Sequence, residues 1–86
     1  MSDLNILREQ IDNIDAQIVK LLCERFDTVK NVAEYKKANG LEILQKSREA
    51  KVLSKIDGRE YQDYIVEIYK VILETSKRLQ GGIHGD

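Results

Sequence analysis

Two cations in the first half of the chain are spaced as a binding site for an anion requires. Arg25 and Lys36 are eleven residues apart, so on a straight helix they lie about 20° apart around the axis and about 16 Å apart along it. No residue three or four positions from either is acidic. A cation that faces an apolar interior without a partner costs several kcal/mol. We therefore expect an anionic group from outside this segment to meet them.

Four more polar residues extend this set of candidates. Arg48 also lacks an acidic residue three or four positions away, and Glu49 beside it points about 100° off on a helix. Ser76 and Gln80 are four residues apart and share one helical face. Plainer interpretations also fit: an exposed charged face for the first pair, and the fading end of an apolar face for the second.

The rest of the sequence lacks the patterns of several kinds of catalytic site. It has no metal-ligand cluster, no Ser-His-Asp set and no glycine-rich phosphate loop. The lone histidine, His84, falls in an expected C-terminal tail. An enzyme with these residues must work without a nucleophile or a proton shuttle. Rearrangement of a small dicarboxylate by electrostatic stabilisation and enforced conformation fits, with no cofactor and no metal.

The elements that must position these residues are helices. Apolar residues recur at alternating steps of three and four over residues 4–37, which predicts one long amphipathic helix with Arg25 in its heptad seam. Asn39 and Gly40 predict where it ends. The seam consists of Leu4, Leu7, Ile11, Ile14, Ile18, Leu21, Arg25, Thr28, Val32 and Tyr35.

Two shorter helices are predicted to follow. The second runs from about Lys46 to Ile56, and Asp57-Gly58 predicts the turn after it. The third begins near Arg59, presents one broad apolar face and ends at Gly81-Gly82, and residues 81–86 are expected to form a disordered tail. The prediction is therefore an all-α fold with a single domain over residues 1–86.

The length of the first helix predicts a dimer. A helix of about 34 residues is about 50 Å long, whereas a compact chain of this size has a radius of gyration of about 12 Å. The apolar seam would extend beyond its own domain, so a second chain must cover it. The simplest closed arrangement is a two-fold homodimer.

Composition indicates a cytoplasmic protein. No window approaches 18 uncharged apolar residues, the N-terminus has no signal-peptide pattern, and the single Cys23 cannot form an intrachain disulfide. The net charge is -1, with both signs interspersed. This argues against binding to nucleic acid or to an anionic membrane.

The order of motifs resembles a known family. ILREQIDNIDAQIVKLLCER, then Lys36, then SRE at residues 47–49 and YKVILETSKRLQ are similar to the all-helical chorismate mutases of the shikimate pathway, over residues 4–80. The combined spacing is specific, although each piece alone is weak. The resemblance implies an intertwined dimer of three-helix chains whose long first helices span both subunits, and an isomerase that converts chorismate into prephenate.

The resemblance also implies roles for individual residues. Arg25 and Arg48 would bind substrate carboxylates or orient their neighbours, joined by Arg8 from the partner chain. Lys36 and Gln80 would be catalytic and face the ether oxygen. The remaining substrate-binding roles would be a hydrogen bond from the ring hydroxyl to Glu49, carboxylate binding by Ser76, and an amide contact by Gln45, where family members often have Asp.

Two alternative functions stay open at this point. Isochorismate pyruvate-lyase resembles the family in fold and in most site residues, and the sequence separates the two poorly. A non-catalytic helical dimerisation module explains the heptads but not the cations without partners. Regulation by a partner enzyme and the choice between phenylalanine and tyrosine are not encoded here. No further domain is recognised in the sequence, so we expect a free-standing, uninhibited mutase.

Overall fold

The chain folds into three α-helices, which confirms the predicted all-α class. The computed structural model describes residues 3–43 and 46–84, with no strand among them. Helix α1 spans Asp3–Ala38, α2 spans Lys46–Ser54 and α3 spans Gln62–His84. The long first helix, the short second helix and the intermediate third helix follow the predicted order.

The end of α1 is fixed by a glycine in the left-handed conformation. Gly40 has a φ of 67°, and its amide donates to the Lys37 carbonyl at 3.5 Å while the Leu41 amide donates to the Lys36 carbonyl at 2.9 Å. These two bonds form a Schellman motif, which satisfies carbonyls that the last turn leaves free. The predicted stop at Asn39-Gly40 is confirmed.

Helix α2 ends at Ser54, two residues before the predicted end at Ile56. The amides of Lys55, Ile56 and Asp57 each bond to the carbonyl three residues earlier instead of four, which tightens the chain into turns. Ile56 is still buried, because this turn carries its side chain inward. The turn at Gly58 has a φ of 77°, as expected for a glycine at such a turn.

The predicted bounds of α3 were wrong at both ends. It begins at Gln62, after Tyr61 adopts a φ of 62°, and not near Arg59. It also continues through Gly81 and Gly82 to His84. A helical glycine costs about 1 kcal/mol relative to alanine, which weakens a helix without ending it.

Helices α1 and α3 lie side by side and run in the same direction. Arg25 contacts Ser76, and further along both helices Lys36 contacts Gln80. The residues of α1 that become buried or half-buried in this packing are offset from the predicted seam: Leu22, Arg25, Phe26, Val29, Ala33 and Lys36. Of the seam residues in the second half of α1, only Arg25 takes part; Thr28, Val32 and Tyr35 are exposed.

The seam stays uncovered because the chain is elongated. Its extents are 58 × 26 × 15 Å and its radius of gyration is 16.5 Å, well above the roughly 12 Å of a compact chain of this length. Along the first half of α1, the apolar seam residues are 48–62% exposed. Ala33 and Ile56 are the only buried hydrophobic residues in the described part of the chain, so one chain alone has very little core.

No helix in the described ranges is both long enough and apolar enough to cross a bilayer. The cytoplasmic location expected from the sequence stays a prediction.

Gly40→Ala should lower the free energy of unfolding by about 1 to 2 kcal/mol, because a side chain in the left-handed conformation is strained. Urea unfolding followed by circular dichroism, at one fixed protein concentration, measures the change. Gly82→Ala is the matched control. Gly82 is helical and a Cβ there meets nothing within 4 Å, so this variant should gain up to about 1 kcal/mol. A Gly40→Ala protein as stable as wild type would contradict the assignment of the cap.

Candidate functional site

A cleft of about 230 Å³ lies among the three helices. Its walls combine cationic and polar side chains with apolar residues such as Val29, Val32 and Leu73. Six of the residues predicted from the sequence to form a site line this cleft: Arg25, Lys36, Arg48, Glu49, Ser76 and Gln80. The fold therefore brings together residues from positions 25 to 80 of the chain.

Lys36 projects from the last turn of α1 and is held by two neutral oxygens. Its Nζ donates to the Ile43 carbonyl at 2.7 Å and to Gln80 Oε1 at 2.9 Å. An ammonium has three donors, so one remains for a ligand. Burial lowers the pKa of Lys36 from its ordinary value of 10.5, because desolvation disfavours the charged form. Neither acceptor carries a charge that would cancel that of the ammonium.

Arg25 is held in a similar way from α3. Its Nη1 donates to Ser76 Oγ at 2.7 Å, and its Cζ lies 5.9 Å from the centre of the Tyr69 ring, a cation–π distance. The Ser76 hydroxyl in turn donates to the Ile72 carbonyl at 2.7 Å. Ser76 is only 4% exposed, so its single proton is committed and it acts as an acceptor towards Arg25. The other guanidinium donors stay available to a ligand.

The anionic partner expected for Arg25 and Lys36 is not found within the described part of this chain. Neither forms an ion pair there, and Arg48 forms none either. The cleft therefore contains three cations whose charges the described residues leave uncompensated. A ligand with two negative charges would be attracted to such a site.

Among the described residues, Glu49 is the one carboxylate that lines the cleft, and it is paired with a lysine that sequence reasoning missed. Lys77 Nζ lies 3.6 Å from Glu49 Oε2 and 3.5 Å from Glu74 Oε2. Lys77 has an acidic residue, Glu74, three positions before it on the same helix, so it does not meet the criterion that singled out Arg25 and Lys36. The sequence thus carried no signal for the bridge between α2 and α3.

Two predicted site residues lie apart from the cleft or outside the description. Arg8 is exposed near the start of α1 and does not line the cleft. It precedes Arg25 by seventeen residues, which is about 25 Å along a helix. Gln45 lies outside the described residues.

Sequence reasoning also missed the roles of Ile43 and Tyr69. The Ile43 group that contacts Lys36 is a backbone carbonyl, so residue type gives no signal for it. Tyr69 lies on the third helix, for which only a broad apolar face was predicted, and that pattern does not identify a partner for Arg25. Across the ranges that the structure describes, no group of three or more His, Cys, Asp or Glu side chains is arranged to hold a metal ion.

Fold and cleft together define a class: a helical protein whose cationic cleft is lined by side chains of three helices. A sequence profile described as "Chorismate mutase type II" matches residues 7–81. The chain belongs to the chorismate mutase type II family, an isomerase family, which confirms the resemblance noted from its motifs.

Individual relatives agree with this assignment. A protein named "Chorismate mutase" from Methanocaldococcus jannaschii is 32% identical over 79 residues, covering 86% of this chain and 80% of that protein. A "Bifunctional chorismate mutase/prephenate dehydratase" from Buchnera aphidicola subsp. Acyrthosiphon pisum is 38% identical over 84 residues, covering 92% of this chain. Another of that name from Aquifex aeolicus is 33% identical, covering 93%. The chain spans only 22% and 24% of the length of these two bifunctional relatives.

Proposed function

We propose that this protein catalyses the rearrangement of chorismate to prephenate. In this reaction the ether carbon–oxygen bond breaks while a new carbon–carbon bond forms within the same molecule, with no exchange of protons or electrons. The observation that carries the proposal is the contact between Lys36 and Gln80 in a cleft that also contains Arg25 and Arg48. Such a site stabilises charge and enforces conformation without a nucleophile.

Substrate binding would rest on the arginines. Arg25 and Arg48 line the cleft and form no ion pair among the described residues, so their guanidinium donors can bind the two carboxylates of chorismate. Ser76 would act through Arg25, because its hydroxyl proton is already donated to the Ile72 carbonyl. In this way Ser76 would help to hold a carboxylate, the role that the family resemblance implied.

Lys36 and Gln80 would stabilise the transition state. Negative charge grows on the ether oxygen as its bond to the ring lengthens. Because Lys36 occupies Gln80 Oε1, the amide group of Gln80 is left to donate, as is the third N–H of Lys36. Two fixed donors in a partly desolvated cleft stabilise such charge far more than water does. Glu49 would accept a hydrogen bond from the ring hydroxyl, and Gln45 would add an amide contact.

The complete site would need a second copy of the chain. The exposed seam on the first half of α1 requires a cover, and an antiparallel partner helix about a two-fold axis supplies one. That arrangement brings Arg8 of the partner subunit beside Arg25, which Arg8 cannot reach along its own helix. An exposed apolar stripe on α3, formed by Tyr64, Ile68 and Val71 with Tyr61 just before the helix, adds surface for the same interface.

The names of the relatives support prephenate as the product. In the Buchnera and Aquifex proteins, chorismate mutase is joined with prephenate dehydratase in one chain. We therefore place the reaction in aromatic amino acid biosynthesis.

A direct assay tests the proposal. Purified protein is incubated separately with chorismate and with isochorismate, and the loss of absorbance and the products are followed. Formation of prephenate from chorismate is the expected result. Salicylate and pyruvate from isochorismate, without prephenate from chorismate, would assign the lyase activity instead. Turnover of neither substrate by a folded dimer would support the non-catalytic module.

Lys36→Ala and Gln80→Ala should each lower kcat far more than they raise KM. Each removes a donor to charge that develops in the transition state, which typically costs about 3 to 4 kcal/mol, or a factor of about 10² to 10³ in kcat. Steady-state kinetics on chorismate measures both parameters. Lys37→Ala is the matched control, because Lys37 is adjacent but exposed and does not line the cleft. An unchanged kcat in both site variants would remove them from the mechanism.

Activity should be flat between about pH 6 and 8 and fall at alkaline pH, because no group with a near-neutral titration is invoked. The active form carries a protonated Lys36. Rising pH removes that charge, and since burial lowers the pKa, the decline in kcat/KM should be centred below 10.5. In Lys36→Arg, which does not titrate in this range, any remaining activity should lose this decline. A bell centred between pH 6 and 8 would indicate an acid or base outside this mechanism.

Mixed dimers test whether each site is shared between chains. Arg8→Ala and Lys36→Ala homodimers should both be nearly inactive, since every site carries one defect. In a heterodimer of the two, both defects fall in one site and the other is wild type. Random pairing after unfolding and refolding an equal mixture gives about half heterodimers, so activity should return to about a quarter of wild type.

The control mixture combines Lys36→Ala with Gln80→Ala. Both residues line the cleft of the same chain, so each site of that heterodimer keeps one defect and no activity should return. Equal activity in the two mixtures, with subunit exchange verified, would show that Arg8 does not act across the interface.

A further inference from the structure

The bridge between Lys77 and Glu49 joins the smallest helix to the rest of the fold. Helix α2 has nine residues and contains no buried residue. It packs against α3, and the Glu49–Lys77 pair links the two at 3.6 Å. The two side chains are 30% and 33% exposed, so the pair is partly desolvated, and both residues line the cleft.

Glu49 lies close enough to the cleft cations to compete with a ligand carboxylate for them. It shares a cleft of about 230 Å³ with Arg25, Lys36 and Arg48, which form no ion pair among the described residues. A free carboxylate in such a cleft is drawn to these cations. Paired with one of them, it would occupy the place of a ligand carboxylate and block the site.

Lys77, on α3, forms an ion pair with Glu49. It also contacts Glu74, but that carboxylate is 68% exposed and lies on the same helix as Lys77. Water competes for Glu74 more strongly than for Glu49. The ammonium can therefore hold Glu49 while Glu74 contributes little.

We propose that Lys77 is a positioning residue, which holds the Glu49 carboxylate away from the cleft cations and so keeps their binding place open for the dianionic substrate. This inference rests on the proposed function. Lys77 acts only through Glu49: without Glu49 there is no carboxylate to restrain, and the lysine has no further effect on affinity.

The experiment is a double-mutant cycle with wild type, Lys77→Met, Glu49→Gln and the double variant. Methionine is close to lysine in length and removes the charge. In Lys77→Met, KM for chorismate should rise about five- to tenfold, because Glu49 then competes with the substrate. In the Glu49→Gln background, the same change should leave KM within about twofold. Glu49→Gln itself should lower kcat in either background, since the acceptor for the ring hydroxyl is weakened.

Three further measurements separate positioning from a merely structural role. Lys77→Arg should restore KM, since it keeps the charge. Glu74→Gln, which removes the other partner of Lys77, should leave KM and kcat unchanged. Circular dichroism and the dimer mass report folding for each variant.

The dissociation constant of prephenate, measured by calorimetry, gives a readout that needs no turnover. This dissociation constant should rise about five- to tenfold when Lys77→Met is made in the wild-type protein, and should not rise when the same change is made in the Glu49→Gln variant. A protein that binds prephenate in this pattern without converting chorismate would overturn the proposed reaction and leave the role of Lys77 standing. An equal loss of affinity in both backgrounds would overturn the positioning role, because Lys77 would then contact the ligand directly or act on the fold. No loss of affinity in Lys77→Met would overturn it as well.

Discussion

The cleft depends on hydrogen bonds that position its cationic side chains through uncharged oxygen acceptors. Lys36 donates to the Ile43 carbonyl and to the Gln80 amide oxygen, and Arg25 donates to the Ser76 hydroxyl. These bonds fix the geometry of both side chains yet leave their charges uncompensated. A carboxylate in any of these places would bind the cation more strongly and remove the attraction for an anionic ligand. To keep these charges available, α3 and the segment after α1 must supply uncharged hydrogen-bond acceptors to Arg25 and Lys36.

A second constraint is the length of α1, which has 36 residues. Such a helix holds Arg25 and Lys36 on one face beside α3, but the apolar seam on its first half is left exposed. Because the described residues of one chain bury few apolar side chains, the free energy of folding in the proposed dimer would come largely from the surface that the second copy covers. Folding and assembly of the site are therefore one process in the proposed dimer.

The sequence predicted those features that depend on local pattern. The heptads gave the long helix, Gly40 its end, and the missing acidic neighbours of Arg25 and Lys36 identified residues that line the cleft. Features that depend on tertiary contacts were missed. Helix α2 ends early because backbone hydrogen bonds tighten the chain into turns, and these bonds do not depend on residue type. Helix α3 continues through two glycines. The ion pair between Lys77 and Glu49 was missed because Lys77 also has an acidic residue, Glu74, within its own helix.

The directions of the helices set the background field of the cleft. Helices α1 and α3 run in broadly the same direction, as the order of the Arg25–Ser76 and Lys36–Gln80 contacts shows. Lys36 and Gln80 lie near the carboxyl ends of these helices, where the macrodipoles carry partial negative charge. Helix α2 lies beside the same cleft and lines it with Arg48, Glu49 and Val52. The carboxyl ends of the two long helices thus favour the charged form of Lys36 and oppose part of the lowering of its pKa by desolvation, while they repel an anion. The attraction of the proposed site for an anion must therefore come from the three cationic side chains.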